Sequence, residues 1–166
     1  MSGVAMNRVR IQTEDFDLSQ EALALRQGDA RVGAVCSFVG TVRDAQALHG
    51  RAEDAVQWLE LEHYPGMTEA AIEAMIDEAH RRFDILGARV IHRVGRMSPE
   101  DQIVAVLVTS AHRHESYQAC EFLMDFLKTQ APFWKKQMTP QGAHWVDARV
   151  SDDEALSRWG LSLPNA

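Results

Sequence analysis

The sequence predicts an α+β domain, and three observations carry that prediction. Residues 67–83 repeat apolar side chains at helical spacing, with Ile72, Ile76, Ala79 and Phe83 on one stripe and Glu69, Glu73, Asp77 and Arg81 free to face water. Residues 32–42, VGAVCSFVGTV, form a β-rich and mostly apolar run that reads as a central strand. Further strand-like and helical segments follow without an internal repeat, low-complexity tract or linker, so residues 1–166 read as one domain. With 46% hydrophobic and 25% charged residues, a chain of 166 residues can bury a proper core.

The remaining elements follow in order. Residues 7–12 alternate as a first strand, and residues 18–27 read as a helix closed by Gly28. Residues 43–54 are polar, contain Gly50, and read as an exposed loop. Residues 56–62 alternate as a strand before the turn Tyr64-Pro65-Gly66. Strands at 89–94 and 103–109 flank a turn with Gly95 and Pro99. A second long helix is expected from His114 to Gln130, stopped by Pro132, because the residue before a proline avoids helical geometry. Residues 133–139 and 144–150 read as a hairpin around Pro140 and Gly142, and residues 152–159 as a short terminal helix.

Composition excludes several classes. The net charge of -7 opposes general nucleic-acid binding, where a basic surface supplies most of the affinity. No apolar run is long enough for a membrane span, and the N-terminus lacks the apolar centre of a signal peptide. Cys36 and Cys120 lie in apolar contexts at no metal-ligand spacing and read as reduced core residues of a cytoplasmic protein.

Positive charge is distributed unevenly. All three lysines, Lys128, Lys135 and Lys136, lie in FLKTQAPFWKKQMTP, while the other cations are arginines. Arginine stays charged and forks around phosphates and carboxylates, whereas a lysine amine can be tuned for proton transfer or nucleophilic attack. Lys128 shares a helical face with Tyr117, Glu121 and Met124, which predicts partial desolvation; its place in the last helical turn favours the charged amine instead. In an extended segment Lys135 and Lys136 point to opposite faces, so only one looks back at Lys128, and the pattern does not choose between them. His112 and Arg113 sit between a strand and a helix start, where backbone N–H groups and the helix dipole favour an anion. Arg43 ends the apolar strand, a place from which a strand delivers charge to a cleft. Trp145 and Arg149 share a face if their segment is a strand. His112 and His114 lack a placed third ligand, so no metal site is expected.

Four segments in this order, LEHYPGMTE (61–69), TSAHR (109–113), MDFLKTQAPFWKK (124–136) and WVDAR (145–149), resemble the MoaE family, the large subunits of molybdopterin synthase. The match covers about residues 32–149. The resemblance implies an α/β hammerhead core with an additional antiparallel sheet and a sulfurtransferase with no cofactor of its own. It implies a central homodimer within a heterotetramer, each large subunit taking one small ubiquitin-like carrier with a Gly-Gly thiocarboxylate tail. The implied substrate is cyclic pyranopterin monophosphate, converted to the dithiolene of molybdopterin. The implied site comprises Lys128 and Lys135 as catalytic residues, with Arg43, His112, Arg113, Met124 and Arg149 binding substrate. His112 and Arg113 are then expected to serve the site of a neighbouring copy. Residues 44–53 vary in the family and carry nothing over. Two rival classes remain: a non-catalytic module that binds a ubiquitin-like tail, and a phosphate-ester hydrolase using a metal at His112 and His114.

Overall fold

The computed structural model describes residues 7–146, 154–155 and 157–160. Elements in chain order are strand β1 (Val9–Gln12), helix α1 (Leu18–Arg26), strand β2 (Ala34–Thr41), the short helix α2 (Ala45–His49) and a 3₁₀ turn (Ala52–Asp54). There follow β3 (Trp58–His63), α3 (Met67–Arg82), β4 (Gly87–Arg93), β5 (Gly95–Met97), β6 (Gln102–Ser110), α4 (Arg113–Thr129), β7 (Phe133–Thr139) and β8 (Gly142–Val146). The α+β expectation holds. The predicted helices and strands appear within a few residues of their expected bounds, and the loop at 43–54 carries α2 and the 3₁₀ turn. Helical assignments also occur at residues 154–155 and 157, inside the expected terminal helix. The expected strand beyond Val146 lies outside the described residues.

The strands form two four-stranded sheets, ordered β1-β4-β6-β2 and β5-β3-β7-β8. Among the described residues only the β1–β4 pairing is parallel. Strand β2 is therefore an edge strand, which corrects the expectation of a central one. The central strands are β4 and β6, and in β6 Ala105 to Val108 are wholly buried. The apolar run in β2 leaves Val35 and Phe38 exposed, so hydrophobicity there does not mark burial within one chain.

The first sheet is covered on both faces. On one, Val90, Val104, Val106 and Val108 meet Ile72, Ile76 and Ala79 of α3 and Ala119, Phe122, Leu123 and Phe126 of α4. On the other, Ile91, Ala105 and Leu107 meet Phe16 and the α1 residues Leu18, Ala22 and Leu25. A separate cluster of Val42, Leu59, Leu61 and Met97, with Ile103 against it, joins the second sheet to the end of the first.

Helix α4 follows β6 after Ala111 and His112, and therefore turns straight back across the sheet. Cys120, midway along it, sits over β6 with Sγ 3.9 Å from the Val106 carbonyl. Because β2 is antiparallel to β6, α4 and β2 run in the same direction. The ends of α4 and β2 thus lie at one end of the molecule and their starts at the other.

Phe122 is 1% exposed and packs edge-to-face with Phe83 and Trp159. Phe122→Ala is expected to lower stability by about 3–5 kcal/mol, measured by urea unfolding.

Candidate functional site

The end of the molecule where β2 and α4 finish gathers several cations. Arg43 leaves β2 one residue after buried Val42, whose N–H donates to the Asp101 carbonyl at 2.8 Å. Val42 in turn accepts from the Glu100 N–H at 2.9 Å. Glu100 holds φ at 79°, an unusual conformation for a non-glycine residue, and so shapes the turn that clamps the β2 exit. The Asp44 carboxylate accepts from the N–H groups of Gln46 at 3.0 Å and Val56 at 3.1 Å, tying the 45–55 segment back to the same point.

Lys128 occupies the last turn of α4 and is exposed. Met124, one turn earlier, is half-buried against the main core. The expected flanking by an aromatic fails: Tyr117 lies eleven positions up the helix, about 16 Å along its axis. Partial desolvation of Lys128 within one chain is therefore corrected to exposure.

Register separates the other two lysines. Lys135 lies opposite Leu61 and Val146, while Lys136 lies opposite Glu60 and Trp145. Directly opposed residues share a sheet face. Lys135 is therefore on the face of buried Leu61, with His63 and Phe133, and Lys136 is on the reverse face. There the Lys136 ammonium lies 5.5 Å from the Trp145 ring centre.

Two histidines join this end. The His92 ring, 8% exposed, stacks on Phe133 with ring centres 3.9 Å apart and planes inclined by 20°. Its Nδ1 lies 2.8 Å from the Arg93 carbonyl, which requires Nδ1 to carry the proton. Burial, with the charges of Lys128 and His63 adding to it against that carbonyl bond, lowers His92 from its ordinary 6.5 to about 4. His63 Nε2 lies 3.6 Å from Glu69 Oε1. In the sequence His63 belongs to the LEHYPGMTE string and reads as part of a turn, while His92 lies in none of the four segments. The β-alternation of RVIHR set His92 in a strand, but nothing local indicated that its ring meets β7.

His112 and Arg113 lie at the opposite end of α4. His112 is the N-cap residue, with its carbonyl accepting from Ser110 Oγ at 2.6 Å. Gly33, whose N–H donates to the Ser110 carbonyl at 3.0 Å, sits beneath this junction. A Cβ there would come 2.3 Å from the Ala111 carbonyl oxygen, so only glycine permits the approach. Gly33, Ala111, His112, Arg113, His114 and Tyr117 line an open hollow of about 580 Å³. Lys128 lies fifteen positions beyond Arg113, about 22 Å along the helix. One chain therefore does not collect the expected residues into a single cavity. It offers two half-sites, Arg43, Met124, Lys128 and Lys135 at one end and His112 and Arg113 at the other. Arg149 lies outside the described residues.

Many of the other cations are tied to carboxylates, although Arg26, Arg51 and Lys136 also form no salt bridge among the described residues. Arg8, Arg10, Arg31, Arg82 and Arg89 are engaged with carboxylates. Among the described residues, Arg43, Arg113 and Lys128 form no salt bridge, which leaves their charge available to an anion. Among the same residues, no group of three or more His, Cys, Asp or Glu is placed to hold a metal ion. No helix among them is long and apolar enough to cross a membrane.

A two-sheet α+β fold of this kind is shared with the solved structures of a known enzyme family. The family model for the MoaE protein matches residues 11–130, and this chain belongs to that family. A molybdopterin synthase catalytic subunit from Ralstonia nicotianae is 56% identical over 161 residues, covering 97% of this chain and 89% of its own length. The Escherichia coli protein of the same description is 45% identical over 156 residues, covering 94% and 100%. A molybdopterin biosynthesis MoaE protein from Burkholderia ambifaria superposes with a TM-score of 0.79 at 52% identity, covering 95% of this chain and all of that one. Molybdopterin synthase from Staphylococcus aureus gives a TM-score of 0.75 at 26% identity, covering 86% and 98%. The expected family and fold are thereby established, and the chain is an enzyme of molybdopterin biosynthesis.

His92 also sets a pH dependence. Its folded pKa lies below its unfolded one, so between pH 6.5 and about 4 the unfolded chain binds the extra proton. Stability is expected to be complete above that window and to fall by up to roughly 3 kcal/mol as pH drops through it. Urea unfolding at about pH 7 and about pH 4.5 checks this, with His92→Phe expected to flatten the slope.

Proposed function

We propose that this chain is the catalytic subunit of a molybdopterin synthase and acts as a sulfurtransferase. It moves sulfur from the C-terminal thiocarboxylate of a small ubiquitin-like carrier to cyclic pyranopterin monophosphate. Two successive transfers build the dithiolene. The observation that carries this reading is the placing of Arg43 and Lys128 at one end of α4 and Arg113 at the other, none of them in a salt bridge among the described residues, in a chain whose relatives are described as molybdopterin synthase catalytic subunits.

The chemistry suits the residues. The donor is an anionic sulfur and the acceptor carries a cyclic phosphate, so both require cations although the protein as a whole is acidic. Lys128 acts nearest the thiocarboxylate carbon, where its ammonium stabilises the charged tetrahedral centre formed during transfer. Lys135, exposed on the Leu61 face of β7, assists proton transfer as the cyclic phosphate opens and water leaves. Met124 lines the wall beside Lys128. Arg43 binds phosphate from the same end, and His112 and Arg113 from the start of α4, aided by the helix dipole. Arg149 joins the substrate-binding set through the family resemblance alone.

The 22 Å between half-sites supports a homodimer in which one copy's His112 and Arg113 complete the other's lysine site. The exposed Val35 and Phe38 on edge strand β2 and exposed Tyr117 on α4 give apolar surface suited to a second copy. With one carrier per large subunit, the assembly is a heterotetramer.

Lys128→Ala is expected to abolish product formation from thiocarboxylated carrier and cyclic pterin phosphate, while the dimer stays folded by circular dichroism and gel filtration. Full activity in that variant would remove the lysine mechanism. Lys135→Ala is expected to slow turnover by about tenfold or more, and Lys136→Ala by less than about twofold. Sharing between copies has its own assay. Arg113→Ala and Lys128→Ala chains, each inactive alone, should regain activity when unfolded and refolded together, because a hybrid dimer contains one intact site.

A further inference from the structure

We propose that the Arg10–Glu21–Arg89 cluster beneath α1 is a binding site for a small phosphate-type oxyanion. It lies apart from the sulfur-transfer half-sites and does not depend on that reading.

Register places the cluster. Arg89 of β4 lies opposite Leu107 of β6, and Arg10 of β1 lies beside Ile91 of β4. Leu107 and Ile91 belong to the core under α1, so both arginines face that helix, on the side of the sheet away from α3 and α4. Glu21, in the first turn of α1, reaches between them. One of its oxygens accepts from Arg10 Nη2 and the other from Arg89 Nη1. With Asn7, Gln20 and Ala24, these three residues line a hollow of about 300 Å³.

Charge and hydrogen bonding are both incomplete there. Two guanidiniums share one carboxylate, which leaves one positive charge over in a cluster where Arg89 is only 5% exposed. Burying an unmatched charge is costly unless an opposite charge joins it. The Nε atoms of Arg10 and Arg89 are also buried without a hydrogen-bond partner, and among the described residues no other buried side-chain nitrogen or oxygen is in that state. Elsewhere the same atom finds an oxygen: Nε of Arg8 donates to Glu73, of Arg31 to Asp29, of Arg82 to Glu78 and of Arg93 to the Thr13 carbonyl. The six residues ahead of Asn7 hold no acidic side chain to make good the deficit.

An oxyanion answers both shortfalls. It brings negative charge, and its oxygens accept from the guanidinium N–H groups that Glu21 leaves over. Asn7 and Gln20 add amide donors at the rim. Glu21 already fills the planar, two-oxygen place between the arginines. An anion that presents oxygens in several directions, as phosphate does, therefore suits the remaining donors better than a second carboxylate. The Arg10 side chain is 37% exposed and is the arm that turns to meet the anion, while Arg89 is held in the sheet. A bridge that only fastened α1 would be complete with one arginine.

Inorganic phosphate, titrated at low ionic strength, is the probe. The ¹⁵N–¹H signals of Arg10 Nε and Arg89 Nε should shift saturably. They should do so equally in a chain carrying Arg43→Ala and Arg113→Ala, where the proposed catalytic phosphate contacts are gone. In that chain Arg10→Gln is expected to weaken phosphate binding by about tenfold or more. Glu21→Gln keeps the shape of the cluster and removes its negative charge, so it is expected to tighten phosphate binding by about fivefold or more. Such a gain is one that misfolding cannot produce, and a fastening bridge predicts no gain from either substitution. Signals unmoved by tens of millimolar phosphate would overturn the proposal. So would affinity indifferent to Arg10→Gln, affinity lowered by Glu21→Gln, or acetate bound more tightly than phosphate. Shifts that vanish in the Arg43→Ala, Arg113→Ala chain would assign the phosphate to the sulfur-transfer site, overturning this site and leaving that reading intact.

Discussion

The rigidity of α4 is the constraint on which the arrangement depends. A helix of 17 residues is a strut of about 25 Å, and its backbone hydrogen bonds do not let it fold upon itself. Arg113 and Lys128 are its two ends. The strut is bolted to the first sheet by Ala119, Phe122, Leu123 and Phe126, so neither end swings independently of β6 or β2. A site needing cations from both ends must therefore be built by two chains.

The second sheet is held to the first by a compact joint. Val42, Leu59, Leu61 and Met97 form its apolar part. Thr68 Oγ1 donates to the Pro132 carbonyl at 3.1 Å and accepts from the Tyr64 N–H at 3.1 Å, which ties the α3 start to the α4–β7 turn. The His92–Phe133 stack completes the joint. Arg43, Lys128 and Lys135 enter from three different elements around this seam. Their relative placement is therefore set by packing between sheets, not by sequence proximity.

Electrostatics follow the same division. The chain has a net charge of -7, and much of its arginine is bound up with carboxylates, as in the Glu21 bridge to Arg10 and Arg89. Arg89 is buried, so in that bridge the attraction is set against the cost of desolvating both charges, and the pair neutralises them locally. Arg43, Arg113 and Lys128 lack such partners among the described residues. A protein repulsive to polyanions overall thus keeps small positive patches suited to small anionic groups.

The sequence by itself determined the long helices, most of the strands and the family, but not α2 or the short strand β5 at the expected Gly95 turn. Periodicity in 67–83 and 114–130 gave both long helices, because an amphipathic stripe must face a core whatever its neighbours. The motifs from LEHYPGMTE to WVDAR gave the kinship, because they are specific strings. What only the tertiary structure decided was everything that rests on pairing between distant segments. Strand β2 became an edge because β4 and β6 take the centre, and apolar content alone cannot rank strands that are buried by different partners. Lys135 was separated from Lys136 by the register of β7 against β3, since a period of two leaves the inward face undefined until a neighbour is known. His92 acquired its place only when β4 met β7, forty-one residues further on at Phe133. Stacking and burial are properties of that contact and leave no local trace in RVIHR.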